Sequence, residues 1–229
     1  MPNTSIYNDK EILDNYYIVK DRIIKAAESV NRNPDDVTLI IVTKNFDNKS
    51  IVPLLEIGHK HFGENRVQEA EKKWPMLIDQ YQDLVIHMIG HLQRNKVKVA
   101  LDIFDVIHTV DSIRLVNEIK NNLNHQIKCK QYFTQVNLAE ELQKDGISLD
   151  ELKGLLTEFN QDNKIECKGL MCIPPVNEEP SPYFALLSKT AKNYKMESLS
   201  MGMSSDFEKA IQFGATHIRV GSKIFGSRV

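Results

Sequence analysis

The sequence predicts a single (β/α)8 barrel of the TIM type with an extra N-terminal helix. Three observations point there: eight short apolar, β-branched runs alternate with helical patterns, no Pro-, Gly- or Ser-rich stretch divides the 229 residues, and the first run is followed by neither a Gly-x-Gly-x-x-Gly turn nor a P-loop. Strands alternating with helices need right-handed crossovers and hence a parallel sheet, and eight units in one short chain suit a closed barrel better than an open doubly wound sheet.

The elements follow in order. Ile12, Tyr16, Val19, Ile23, Ala27 and Val30 recur at three- and four-residue steps, predicting an amphipathic helix over about 8–31 that Asn33-Pro34-Asp35 ends. The barrel is expected over about 37–229, so one domain spans 1–229. Strands are predicted at 37–43, 61–63, 85–90, 106–110, 131–137, 167–173, 197–200 and 217–220. Helices between them include 65–76 and 206–213, the latter stopped by Gly214 as a C-cap.

Composition narrows the function. With 41% hydrophobic and 26% charged residues the chain is globular in type, and 29 basic against 31 acidic residues leave a charge of −2. That balance gives no global attraction for nucleic acid or an anionic membrane. The longest apolar run, 37–42, is too short to cross a bilayer, and the first residues lack a basic and an apolar signal region, so a cytoplasmic protein is expected. Cys129, Cys167 and Cys172 form an odd set without Cys-x-x-Cys spacing, which argues for reduced, structural thiols and against a zinc site.

In a parallel barrel, functional groups gather where strands end. Lys44 directly follows Leu39-Ile40-Ile41-Val42-Thr43. At the mouth of an apolar cavity desolvation favours a neutral, nucleophilic amine, able to condense with an aldehyde; a solvent-pointing lysine is the equal alternative on position alone. After Phe62-Gly63-Glu64, Asn65 either caps a helix or contacts a planar ligand. His87 and His91 have metal-ligand spacing only on a helix, and no carboxylate is evident beside them, so packing or rim hydrogen bonding is the reading taken; His59 and His61 are read the same way. The loops 199–206 and 218–222 place Gly202, Ser204, Ser205, Gly221 and Ser222 after the last two strands, where barrels build phosphate cups from backbone N–H groups and hydroxyls. Helix capping by Ser204, Ser205 and Asp206 accounts for the first loop but not for its repetition in the second.

A reactive lysine facing a phosphate cup suggests pyridoxal 5′-phosphate, an aldehyde that carries a phosphate. Arg219, two residues before Gly221, is then a candidate to face the pyridine nitrogen. A guanidinium only donates, so it leaves that nitrogen unprotonated and the cofactor a weak electron sink. A structural ion pair is the other reading of Arg219.

These segments, with Ile89-Gly90-His91-Leu92-Gln93, Gly169-Leu170-Met171-Cys172-Ile173-Pro174 and Arg219-Val220-Gly221-Ser222-Lys223-Ile224-Phe225-Gly226, resemble in order the motifs of the pyridoxal phosphate homeostasis protein family, from about residue 37 to 228. The family is similar to the N-terminal barrel of alanine racemase. The resemblance implies a cofactor held as a Schiff base on Lys44, with Ser204, Gly221 and Ser222 on the phosphate, Arg219 at the pyridine nitrogen, Asn65 beside the ring and Ser200 as a weaker choice. It implies a role in vitamin B6 and amino- and keto-acid balance without established turnover, so no catalytic residue and no metal is assigned. Two departures are visible: His91 where many members carry proline, and Ser222 for a frequent threonine. Lys144 is read as a surface lysine, with a second cofactor site as the alternative. A monomer that serves apoenzymes dependent on the cofactor is expected. A weak racemase, lacking a second domain to supply its second base, and a lysine-dependent aldolase acting on a phosphorylated sugar are the competing functions.

Overall fold

A computed structural model describes residues 7–123, 127–141, 145–161 and 164–226. Eight parallel strands close into a barrel in sequence order: β1 (Thr38–Val42), β2 (His61–Glu64), β3 (Val85–Met88), β4 (Val106–Val110), β5 (Gln131–Gln135), β6 (Cys167–Met171), β7 (Ser198–Met203) and β8 (His217–Val220). The seam pairs β1 with β8, Thr38 opposite His217 and Ile41 opposite Val220. Between strands run α2 (Asn48–Glu56), α3 (Val67–Gln80), α4 (Val97–Ile103), α5 (Ile113–Asn121), α6 (Leu149–Asn160), α7 (Ser181–Asn193) and α8 (Phe207–Gln212), with one turn, α9 (Ser222–Phe225), after β8.

Strand periodicity separates two cores. Outward residues such as Leu39, Ile41 and Phe62 join Leu54, Trp74 and Leu101 in the main core beneath the helices. Burial of each such side chain contributes roughly 1.5–3 kcal/mol. A smaller apolar cluster, Val106, Phe133 and Met171 with Val85 packed against it, is separate from that core and consists of strand residues alone. It fills part of the lumen.

The expected N-terminal helix is α1 (Asp9–Glu28). Asn8 and Glu11 form a reciprocal capping box, and Ile12, Val19, Ile23, Ala26 and Ala27 are buried. Its buried stripe packs on α2, α8 and α9. Asn15 Nδ2 donates to Ile224 O at 3.2 Å, and just beyond the helix Arg32 donates to Ile211 O at 2.6 Å and Ala215 O at 3.0 Å. Because α9 is a single turn, α1 supplies the outer layer over the seam.

Strand positions agree with the sequence reading, β4 and β8 residue for residue. The other strands and the expected helices shift by a few residues at one or both ends. β7 runs on to Met203, past the expected end at Ser200, through a register irregularity against β8. α3 starts at Val67 and continues through Pro75 to Gln80; the lost N–H is outweighed by burial of Trp74 and Leu77 on either side. Gly214, at φ 99°, follows α8 as expected. All three cysteines are free and buried, and burial pushes the Cys129 and Cys172 thiols up to about 12. No helix among the described residues is long and apolar enough to cross a membrane.

Candidate functional site

The C-terminal rim holds a cavity of about 670 Å³, lined by Val42, Lys44, Phe46, Asn65, Ile89 and Ile173 on one side and by Met203, Ser204, Ser205, Arg219, Gly221, Ser222, Lys223 and Gly226 on the other. Its size falls within the usual range for small-molecule sites. Among the described residues, three basic side chains, Lys44, Arg219 and Lys223, line it, and no acidic residue does. In a chain of net charge −2, that one-sided lining is a local arrangement suited to an anion.

The turn bearing Lys44 is clamped from below. Thr43 is fully buried, its amide donates to Gly63 O at 3.0 Å and its hydroxyl to Glu64 Oε1 at 2.7 Å. Lys73 Nζ donates to Thr43 O at 2.8 Å, Glu64 Oε1 at 2.8 Å and Glu69 Oε1 at 2.9 Å, and Trp74 Nε1 donates to Glu64 at 3.2 Å. The Asn45 amide, in a left-handed residue at φ 66°, donates to the Glu69 carboxylate. Glu64 is wholly buried; burial pushes its pKa up, and the Lys73 ammonium opposes that rise. An ion pair so enclosed, with hydrogen bonds to the backbone on both sides of Lys44, fixes where the lysine leaves β1.

Asn65 is set by close packing: a Cβ on Gly90 would lie 2.4 Å from Asn65 O, so only glycine there admits this backbone. The two C-terminal loops meet where Gly221 N donates to Ser204 Oγ at 3.2 Å. Asp206, for which helix capping is the alternative reading, accepts from Met203 N at 2.6 Å and makes no side-chain bond to α8. Arg219 is buried, donating from Nη1 to Ser200 Oγ at 2.6 Å and from Nη2 to Cys172 O at 2.9 Å. Both acceptors are neutral, so the ion-pair reading of this arginine is not what its hydrogen bonds show; burial lowers its pKa, with Cys172 and Asp206 opposing.

Of the residues singled out from sequence, Lys44, Asn65, Ser204, Arg219, Gly221 and Ser222 line this one cavity. Ser200 does not; it is fully buried beneath Arg219 and meets the site through that side chain. Lys144 lies outside the described residues. Lys223 and the apolar Phe46, Ile89 and Ile173 were not anticipated. Phe46 stacks on Phe225 with centroids 4.4 Å apart, a contact across the seam that strand periodicity does not reveal.

The histidines also differ from expectation. His91 does have carboxylates beside it: Nδ1 is 3.3 Å from Asp145 Oδ1 and 3.7 Å from Asp111 Oδ2, the acids arriving from the connections after β5 and β4. The ligand atoms of the three lie within 4.8 Å of one another, and His91 and Asp111 line a different cavity. His87 lies below the rim, within the barrel, where both ring nitrogens meet other histidines.

Comparison with known proteins gives the family and the fold. The sequence model of the family described as "Alanine racemase, N-terminal domain" matches residues 23–229. The pyridoxal phosphate homeostasis protein of Escherichia coli K12 is 32% identical over 231 aligned residues, covering 95% of this chain and 97% of its own. PipY of Synechococcus elongatus PCC7942, solved with PLP bound, superposes with a TM-score of 0.77 at 34% identity over 89% of this chain and 100% of PipY. Alanine racemase from Corynebacterium glutamicum shares the fold at a TM-score of 0.69 and 14% identity, with 96% of this chain covering 61% of that one.

Proposed function

The chain belongs to the pyridoxal phosphate homeostasis proteins, and on that premise we propose that it holds pyridoxal 5′-phosphate in the cavity at the barrel's C-terminal rim. The observation that carries this reading is the lining: two amines and a guanidinium beside hydroxyls and a glycine amide, without a carboxylate among the described residues. A donor set of that kind suits a phosphorylated aldehyde. When bound, the cofactor supplies an aldehyde that condenses with a primary amine and an electron-withdrawing ring. Lys44 is the amine we assign to the aldehyde carbon. Ser204, Ser222 and Gly221 hold the phosphate, Arg219 donates to the ring nitrogen, Asn65 flanks the ring, and Ser200 acts from beneath Arg219.

The role we infer is custody of the cofactor in vitamin B6 and amino- and keto-acid balance. The lining supports this over racemisation, which needs a base on each face of the ring. Among the described residues it offers no histidine, tyrosine, cysteine or carboxylate as a second base, leaving Lys223 as the other amine. We take the protein to act as a cytoplasmic monomer able to pass its cofactor to dependent apoenzymes.

The test is direct. Protein purified with pyridoxal 5′-phosphate is expected to absorb in the visible range, to retain one phosphopyridoxyl mass on Lys44 after borohydride reduction, and to lose both in Lys44→Ala. A colourless protein, or reduction that labels another lysine while Lys44→Ala stays coloured, overturns the assignment. Amino-acid racemisation at rates typical of enzymes, abolished by Lys44→Ala or Lys223→Ala, overturns the non-catalytic role.

A further inference from the structure

Behind Arg219 a column of hydrogen-bonded side chains runs down the barrel lumen. Ser200 Oγ lies 2.8 Å from His108 Nδ1, His108 Nε2 lies 2.9 Å from His87 Nδ1, and His87 Nε2 lies 3.0 Å from His61 Nδ1. Ser200, His108 and His87 are buried to 1% exposure or less, and His61, at the start of β2, is partly exposed. The His108 ring stacks on Phe133 with centroids 4.5 Å apart, and His217 packs edge-on against it at 5.8 Å. Burial, reinforced by the neighbouring imidazoles, holds His87 and His108 in the neutral form.

The polarity of this column follows from its first member. A guanidinium has donors only, so Ser200 Oγ must accept from Arg219. The serine's own proton has one further partner among the described residues, His108 Nδ1. If His108 donated instead, that hydroxyl proton would be buried without an acceptor, which is disfavoured. His108 Nδ1 therefore accepts, and a neutral ring then carries its proton on Nε2 and donates to His87 Nδ1. The same logic makes His87 donate from Nε2 to His61. Three ring dipoles thus point their electron-rich ends toward a guanidinium that is buried and has no carboxylate in its hydrogen bonds.

We propose that His61, His87 and His108 form a column of fixed tautomer, protonated on Nε2, which acts through Ser200 to orient Arg219 toward the cofactor ring and to stabilise its buried charge. This rests on the functional reading above only for what Arg219 faces. Ser200, His108, His87 and His61 are positioning residues, none of which lines the cavity.

Nitrogen-15 correlation spectra of the histidine rings near neutral pH, recorded without cofactor, are the primary test. We expect Nε2–H and a bare Nδ1 at His108 and His87 in the unaltered protein. Ser200→Ala, which removes the hydroxyl donor and little volume, should shift both rings together toward a mixture of tautomers, and Ser200→Thr should restore them. In the loaded protein, Ser200→Ala should weaken pyridoxal 5′-phosphate binding about tenfold, the scale of one hydrogen bond to a charged group. An Nδ1–H tautomer at either buried histidine, or unchanged tautomers in Ser200→Ala, overturns the proposal. Cofactor that fails to bind the unaltered protein overturns the functional reading alone, since the spectra judge the column without it.

Discussion

Lys73 does more for the site than its distance from the cavity suggests. It ties together the Thr43 carbonyl, Glu64 and Glu69, so that the residues flanking Lys44 answer to one buried ammonium. Lys73→Met leaves the wholly buried Glu64 carboxylate without its counter-charge, and the expected cost is about 3–5 kcal/mol, read by urea unfolding. The pH dependence has a definite sign. Burial raises the folded pKa of Glu64, so the folded state holds its proton more tightly than the unfolded chain, and stability falls as pH rises above the unfolded value. With Lys73 gone that rise is less opposed. The deficit of Lys73→Met should widen from about pH 5 to about pH 8; a constant deficit would mean the ion pair does not govern Glu64.

The same scale shows what sequence could and could not reveal. Lys44, Asn65, Ser204, Arg219, Gly221 and Ser222 each sit at or next to a strand end, and strand ends are readable from runs of β-branched residues followed by glycine or polar groups. The histidine column is invisible in one dimension. His61, His87 and His108 lie on three successive strands and Ser200 on the far side of the lumen, so only the closed barrel brings them together. The acids beside His91 were missed for the same reason, since each comes from a different loop.

Among the elements, α1 was legible from its stripe of apolar residues but its task was not. Periodicity predicts a buried face; it does not say that the face covers the β1–β8 seam where α9 is too short to do so. The capping box makes the helix start testable. Asn8→Ala removes the acceptor for the Glu11 amide and should lower stability by about 1 kcal/mol, measured as a drop in Tm, while the spectrum of bound cofactor stays the same. A loss of several kcal/mol would show that this end does more than begin a helix. At α3 the expected helix, 65–76, already passes Pro75, and the observed one, Val67–Gln80, runs further because Trp74 and Leu77 are buried on either side of that proline.

For the molecule as a whole, buried histidines set an acid limit. His59 and His217 are pushed down to about 4 and His87 and His108 well below their ordinary value, each mainly by burial. Between those values and an unfolded pKa near 6.5 the unfolded chain binds more protons, so stability rises with pH through this window and is lost as pH falls. Each such histidine contributes up to about 1.4 kcal/mol per pH unit there. Urea midpoints recorded from about pH 4.5 to 6.5 should climb steeply, and His59→Leu should flatten the climb by one histidine's share. An unaltered slope in that variant would mean His59 titrates normally in the fold.

The placement of α1 also bears on how the chain comes to be folded during synthesis. A helix made from residues 9–28 rests on segments around 207–225, and β1 pairs with β8. Its apolar stripe therefore emerges from the ribosome long before the surface that covers it exists, and the ring cannot be sealed until β8 has been translated. Ribosome-bound chains halted before β8 should expose that stripe to chaperones, whereas chains extended past α9 hide it.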